Sequence, residues 1–326
     1  MIYYELLLKY YNVLPNDVKE VKGGWSAKAY RVDARKTAYF LKVYDKAKPS
    51  IQPWIKRIDS YIHVLGWLSK TPELQGQIVE PIPSVNGSYK VETDDNVFLL
   101  FAYVHGNTVG EKGLSCSQVV ELAGIFARLH SFGENIPCDT SKLHEDISLS
   151  FCDKLKCYLD EIHDQDVLYR LMLPEVDMIR LAILETVKLR NTVRLNVKSL
   201  VLCHTDAHYN NVIQSDRLVL VDWEDLRLAP AEADLFMYAL NPHWKAFWNA
   251  YSTIRSDFHI NADLMRFYLI KRRLEDIWYY VSRVLFDVPT EDEVFRICGR
   301  LRSAFSETQQ LLFDEHSLDF GTDGKI

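Results

Sequence analysis

A chain of 326 residues with 48% hydrophobic and 25% charged side chains is long enough for more than one compact unit and too evenly mixed for a disordered or fibrous protein. The formal net charge of -7 works against broad nucleic-acid binding, which needs Lys and Arg to neutralise phosphates, and suits a cationic small molecule. The N-terminal stretch MIYYELLLKYYNVLPNDVKE lacks the basic start and continuous apolar core of a signal peptide, and no run reaches the roughly 20 apolar residues of a membrane span, so a cytoplasmic protein without a membrane partner is expected. The cysteines, Cys116, Cys138, Cys152, Cys157, Cys203 and Cys298, form no CxxC pair, which predicts reduced thiols in or near the core.

In chain order, the stretch VKGGWSAKAYRVDARKTAYFLKVYD predicts a Gly-containing turn followed by two short strands, most simply a β-hairpin. WIKRIDSYIHVLGWLSK then places Ile55, Ile58, Ile62, Leu65 and Leu68 on one helical face. IVEPIPSVNGSYKVETDDNVFLLFAYV holds three strand-like pieces, with turns at Asn86-Gly87 and Asp94-Asp95. After His105-Gly106 the pattern becomes helical, beginning with SCSQVVELAGIFARLHSF, where Ser117 is the candidate N-cap and Val120, Ala123, Ile125, Ala127 and Leu129 the apolar face. Residues 150–195 and 260–315 are helical in pattern, and between them lie two short apolar strands, SLVLCH and RLVLVDW. The expected architecture is α+β, with residues 1–104 as a first domain built on antiparallel strands and 105–326 as a mainly helical second domain.

The chemistry concentrates in CHTDAHYNNVI and the LVLVDWEDLRLAPAEADL that follows it. A strand ending at His204 delivers Asp206 to a loop, Asn211 follows, and a second strand delivers Asp222 at its own end. A carboxylate and an amide oxygen suit Mg²⁺, and a separate carboxylate can take the proton of an alcohol attacking a phosphoryl group. Zinc is the rival, because His204 and His208 stand four apart. That spacing puts two imidazoles on one face only in a helix, whereas Tyr209-Asn210-Asn211 predicts a loop. A polar turn with Asx-type hydrogen bonds accounts for Asn210 but not for a second acidic strand end.

With its His204, Asp206, His208 and Asn211, then Asp222-Trp223, then Pro230 to Asp234-Leu235, the segment resembles the catalytic region of the aminoglycoside phosphotransferase and choline kinase-like family. The resemblance implies a protein kinase-like bilobal fold, with residues 1–104 as a small antiparallel-sheet nucleotide-binding lobe and 105–326 as a larger helical lobe holding the catalytic loop and acceptor site. It implies Asp206 as the catalytic base, Asn211 and Asp222 as Mg²⁺ ligands, and His204, His208 and Asp234 as supports of the loop. In the first lobe it implies Gly23, Gly24 and Ser26 in the turn over the phosphates, Lys42 reaching the α and β phosphates, and Phe101, Ala102 and Tyr103 at the adenine. The helix residue that orients such a lysine is normally Glu; the best-placed residue here is Asp59, one methylene shorter. Thr205 and Asn210 stand where the family favours Gly.

The resemblance further implies an ATP- or GTP-dependent, Mg²⁺-dependent transfer of the γ-phosphate to a hydroxyl of a small molecule, as a monomer or homodimer and without nucleic acid. An aminoglycoside or an aminocyclitol such as spectinomycin is the favoured acceptor, with antibiotic resistance as the role it suggests. Glu224, Glu275, Asp276 and Trp278, with Tyr279 beside them, are candidate acceptor contacts, since carboxylates with aromatic faces suit amines; an amphipathic helix with charges outward explains the 271–281 stretch equally well. A metabolic kinase of choline, ethanolamine, a sugar or an amino acid is the alternative within the fold. A catalytically inactive nucleotide-binding module is the alternative from another class, against which the joint presence of Lys42, Asp206, Asn211 and Asp222 counts.

Overall fold

The computed structural model describes residues 2–21, 26–35, 37–110, 113–161, 167–194, 200–287, 289–313 and 320. The chain forms two compact units, each assembled from separated segments. The first comprises Met1–His144, Val201–Leu228 and Ala246–Arg255, the second Glu145–Leu200, Ala229–Lys245 and Ser256–Ile326.

The first unit opens with helix α1 (Ile2–Tyr11) and strands β1 (Asp17–Val21), β2 (Lys28–Ala34) and β3 (Thr37–Asp45), then helix α2 (Gln52–Leu68) and strands β4 (Pro81–Ile82), β5 (Lys90–Glu92) and β6 (Asn96–Ala102). These strands form one antiparallel sheet in the order β1-β2-β3-β6-β4, with β5 also paired to β6. The expected hairpin is β2–β3, and the expected turn at Asn86-Gly87 is made with Gly87 at φ 82°, where a glycine carries no steric cost. Alternation along β3 then decides its faces. Leu41 and Val43 enter an apolar core with Leu7, Tyr11, Val32, Phe98 and Leu100, so Lys42 and Tyr44 face the opposite side together. On α2, Ile55, Ile58, Ile62, Leu65 and Leu68 are all buried as the spacing predicts, and Tyr61 is buried with them.

Beyond β6 come β7 (Asn107–Thr108) and α3 (Cys116–Leu129), followed in the second unit by α4 (Ser150–Asp160), α5 (Val167–Met172) and α6 (Val176–Arg194). The chain returns with β8 (Val201–Cys203), β9 (Val212–Gln214), β10 (Leu218–Leu220) and β11 (Arg227–Ala229), and ends with α7 (Glu232–Leu235), α8 (Trp244–Ile254), α9 (Ala262–Phe286) and α10 (Glu291–Phe313). Strands β10, β9 and β7 form a second antiparallel sheet in that order. Helix α3 steadies it: the Glu121 carboxylate accepts from Leu218 N–H at 2.8 Å and the Gln118 amide donates to Gln214 at 2.7 Å.

Three details depart from the sequence expectations. The N-cap of α3 is Ser115, which forms a capping box with Gln118, and not Ser117; the helix starts two residues earlier, with Val119 and Leu122 buried and Val120 exposed. Besides the expected β8 and β10, the region contains β9, β11 and α8. The last, WKAFWNAYSTI, is rich in residues of middling helix propensity and is held by packing, with Phe247 on Phe126 and the Tyr251 hydroxyl 2.9 Å from His130 Nδ1. Finally, Cys152, Cys203 and Cys298 are buried, but Cys116 and Cys157 are exposed, since each sits on the polar side of its helix.

In the second unit α9 packs against α4, α6, α7 and α10 through a stripe that includes Leu264, Phe267, Ile270, Leu274, Ile277 and Val281. Its N-terminus is capped by the Asn261 side chain, and Asn261 N–H donates to the buried Glu232 carboxyl at 2.9 Å. No helix among the described residues is long and apolar enough to cross a membrane.

Gly106 immediately precedes β7. At φ 149°, with a Cβ that would lie 2.1 Å from the Gln214 carbonyl oxygen, it is the residue that lets β7 approach β9. Gly106→Ala is therefore expected to lower the melting temperature by about 2 °C or more, which for a chain of this length corresponds to about 1 kcal/mol. Gly299→Ala, which meets nothing within 4 Å in the middle of α10, is expected to raise it slightly. Thermal melts of the two variants check both signs.

Candidate active site

The segment CHTDAHYNNVI and the LVLVDWEDL that follows it are built on two strand ends in the first unit. After β8, His204 is fully buried; its Nε2 donates to the Val221 carbonyl at 3.0 Å and its Nδ1 accepts from Asp206 N–H at 3.3 Å. Its ring lies 4.5 Å from that of the buried Trp223. Bonded at both nitrogens in this way, a neutral imidazole is a brace between the loop and the end of β10. Asn211, at the end of a 3₁₀ turn spanning Tyr209–Asn211, donates through Nδ2 to the Asp206 backbone carbonyl at 2.8 Å and to Asp206 Oδ2 at 3.1 Å. Its own carbonyl accepts from Val221 N–H at 3.0 Å. His208 caps the turn, accepting from Asn210 N–H, with Nε2 3.7 Å from Asp206 Oδ2.

Two non-glycine residues here occupy the left-handed region, Thr205 at φ 61° and Asp222 at φ 65°. Each such position costs roughly 1–2 kcal/mol for an L-residue and persists only where its surroundings over-determine it. For Thr205 the restraint is its own hydroxyl, which donates to the Asp225 carbonyl at 2.7 Å. The family's preference for glycine at this position is thereby explained, and so is the tolerance of Thr. The Asp225 carboxylate in turn pairs with Arg57 of α2.

Across from the loop end, Lys42 Nζ lies 2.6 Å from Asp222 Oδ1 and 2.6 Å from Glu224 Oε1. Burial opposes the charge on Lys42, but the two carboxylates outweigh it and raise the ammonium above its usual range. Burial likewise lifts the Asp222 carboxyl, and Lys42 outweighs that in the other direction, holding it below the usual carboxylate range. The Tyr44 hydroxyl also donates to Glu224 Oε1, and burial together with Glu224 pushes the phenol upward. Tyr61, 2% exposed, lies near this cluster, with its hydroxyl close to that of Tyr44.

The structure thus joins Asp206 to Asn211 and Lys42 to Asp222, but it does not pair Lys42 with Asp59. Asp59 lies on the exposed side of α2, bonded to Lys90 at 2.6 Å, because the inward positions of the helix are taken by Ile58, Tyr61 and Ile62. Glu224, a candidate acceptor contact by sequence, is 6% exposed and drawn into the pairing of Lys42. Glu275 and Asp276 on α9 are met by cations of the same helix, Glu275 by Lys271 at 2.9 Å and Asp276 by Arg272 at 3.1 Å, while Trp278 is half-buried. The N–H groups of Ala102 and Tyr103 are taken by the carbonyls of Glu80 and Ala38, and Phe101 is buried between β3 and β4. Gly23 and Gly24 lie outside the described residues, Ser26 is half-buried just before β2, and Asp234 is fully buried in α7. Sequence reasoning passed over Tyr44, Tyr61, Arg57 and Asp225; the period of two along β3 was the available signal for Tyr44.

If the Thr205 hydroxyl offsets its backbone strain, Thr205→Val loses the bond and keeps the strain, while Thr205→Gly loses both. The Val variant is expected to be the less stable of the two by about 1–2 kcal/mol in denaturant titrations.

The fold has known counterparts. A model of the phosphotransferase enzyme family matches residues 17–270. No curated protein sequence matches the chain. Among solved structures, a spectinomycin phosphotransferase in complex with ADP and spectinomycin is similar at 18% identity and a TM-score of 0.75, covering 95% of this chain and 97% of that one. A microcompartment-associated aminopropanol kinase is similar at 15% identity and a TM-score of 0.65, covering 97% and 98%. An amicoumacin kinase bound to AMP-PNP, Ca²⁺ and its antibiotic is similar at 13% identity and a TM-score of 0.58, covering 94% and 93%. These likenesses establish a kinase-like fold of an antiparallel-sheet unit and a helical unit. With four-fifths of its length inside the family model and that fold, the chain belongs to the phosphotransferase enzyme family.

Proposed function

We propose that this phosphotransferase moves the γ-phosphate of ATP, or of GTP, to a hydroxyl of a small aminoglycoside or aminocyclitol, with a spectinomycin-like acceptor favoured. The observation that carries the reading is the pairing of Asp206 with Asn211 beside the Lys42–Asp222 ion pair. On this reading residues 1–104 serve the nucleotide, and 105–326 supply the catalytic loop and the acceptor contacts.

Asp206 accepts the proton of the acceptor hydroxyl as its oxygen attacks the γ-phosphorus and the bond to the leaving ADP breaks. Asn211 holds that carboxylate in one orientation, so little reorganisation is needed at the moment of attack. Lys42 turns from Asp222 toward the α and β phosphates. The donor set suits Mg²⁺: the amide oxygen of Asn211 and the carboxylate of Asp222 are hard ligands, and Lys42 keeps Asp222 ionised. Mg²⁺, when bound, would supply neutralisation of phosphate charge. The N–H groups of Ala102 and Tyr103 being engaged, the 101–103 linker would meet adenine through carbonyls or side chains.

The likeness to a spectinomycin phosphotransferase supports the aminocyclitol acceptor. The likeness to an aminopropanol kinase supports a second reading, a metabolic kinase of a small amino alcohol. The self-neutralised charges at Glu275 and Asp276 give the acceptor contacts at 275, 276 and 278 less support than Asp206 has.

Asp206→Ala is expected to leave ATP binding within a few-fold of wild type while lowering phosphotransfer by at least about a hundredfold, the scale for losing a positioned base; unchanged turnover would remove Asp206 from the chemistry. Asp222→Ala is expected to abolish the Mg²⁺ dependence of nucleotide binding, measured by calorimetry with and without the metal. An ATP-consumption screen over spectinomycin, other aminoglycosides, macrolides, choline, ethanolamine, 1-amino-2-propanol and simple sugars separates the two acceptor readings. Turnover confined to a metabolite rules out the antibiotic.

A further inference from the structure

We infer that Glu224, held by Tyr44, is the residue that positions Lys42 for the nucleotide, a task that no carboxylate of α2 performs in this chain. The inference rests on the reading that Lys42 contacts the phosphates. Three observations carry it. First, Glu224 Oε1 accepts from both Lys42 Nζ, at 2.6 Å, and the Tyr44 hydroxyl, and all three side chains are buried or nearly so. Second, the arrangement follows from the chain itself. Lys42 and Tyr44 are two apart on β3 and share a face, while Glu224 is two beyond Asp222 and meets the same ammonium, so one strand and one loop suffice to build it. Third, α2 contributes no carboxylate at this place. Its buried residue there is the phenol Tyr61, and its nearest acid, Asp59, bonds to Lys90 on the exposed side.

The chemistry divides between the two carboxylates. An ammonium bonded to Asp222 alone would lose its only anionic partner whenever Asp222 turned to a metal. Glu224, fixed by Tyr44 and withdrawn from solvent, keeps a second acceptor beside Lys42 and restricts where Nζ can point. Glu224 is thus a positioning residue, acting on nucleotide through the lysine.

A double-mutant cycle on nucleotide affinity tests this, with ATP dissociation constants from calorimetry on the full chain and melting temperatures to confirm folding. Glu224→Gln keeps the volume and removes the charge, and is expected to weaken ATP binding roughly tenfold or more, the scale of one charge-assisted hydrogen bond. Tyr44→Phe is expected to weaken it less and in the same direction. In a Lys42→Met background Glu224→Gln is expected to change affinity less than twofold, because its route of action is gone. Asp59→Asn is expected to leave affinity within twofold of wild type. Multiplicative effects in the cycle would mean that Glu224 acts on its own, for instance on the metal, and would overturn the inference; so would a loss of affinity in Asp59→Asn with none in Glu224→Gln. If Glu224→Gln does not fold, Glu224→Asp enters the same cycle with the same criteria. Lys42→Met with unchanged ATP affinity takes down both this inference and the nucleotide role of Lys42, whereas an effect of Lys42→Met without one of Glu224→Gln takes down the inference alone.

Discussion

The first unit is organised around one buried cation. Lys42, 12% exposed at its side chain, would be costly to bury alone, because a desolvated ammonium loses several kcal/mol of hydration after relaxation. Two carboxylates compensate it, and both come from the four residues after β10. That requirement couples distant parts of the chain. Strand β3 must turn Lys42 away from the Leu7–Leu100 core, and the segment 222–224 must bring Asp222 and Glu224 to the same point. The price of the arrangement is visible in the backbone, since Asp222 adopts a left-handed φ of 65° to do so.

The loop beside this cation is held mainly by backbone groups. His204 donates to the Val221 carbonyl, Thr205 to the Asp225 carbonyl, and Val221 N–H to the Asn211 carbonyl. Side chains that bind backbone in this way fix the loop. The crowded histidines of the motif are part of the same economy: one is a buried brace and the other a turn cap. Arg57, paired with Asp225 from α2, extends the support to the helix that lies nearest Lys42 through Tyr61.

The helical unit follows a different logic. Its long helix α9 buries an apolar stripe and neutralises its own charges, with Lys271 against Glu275 and Glu145, and Arg272 against Asp276. The pairs at spacing four are of modest worth individually. Lys271 differs, being 12% exposed and enclosed by two carboxylates, which raise its ammonium above the usual range against the effect of burial. The acidic residues that looked open in the sequence are therefore largely spoken for.

The sequence by itself determined the elements whose period is strong and local. The apolar spacing of α2, the hairpin of β2 and β3 and the turn at Asn86-Gly87 were all legible, because each rests on residues within a few positions of one another. The loop motif with Asp206, Asn211 and Asp222 pointed to the family for the same reason, and the family model matches residues 17–270. Tertiary structure alone decided the partner of Lys42, since residues 180 and 182 positions away compete with Asp59 for one ammonium, and only packing selects between them. It also decided that α8 is a helix, through Phe126 and His130, where propensity is weak. Charge pairing across long sequence distances leaves no periodic trace in the chain, and so it had to be seen in the fold.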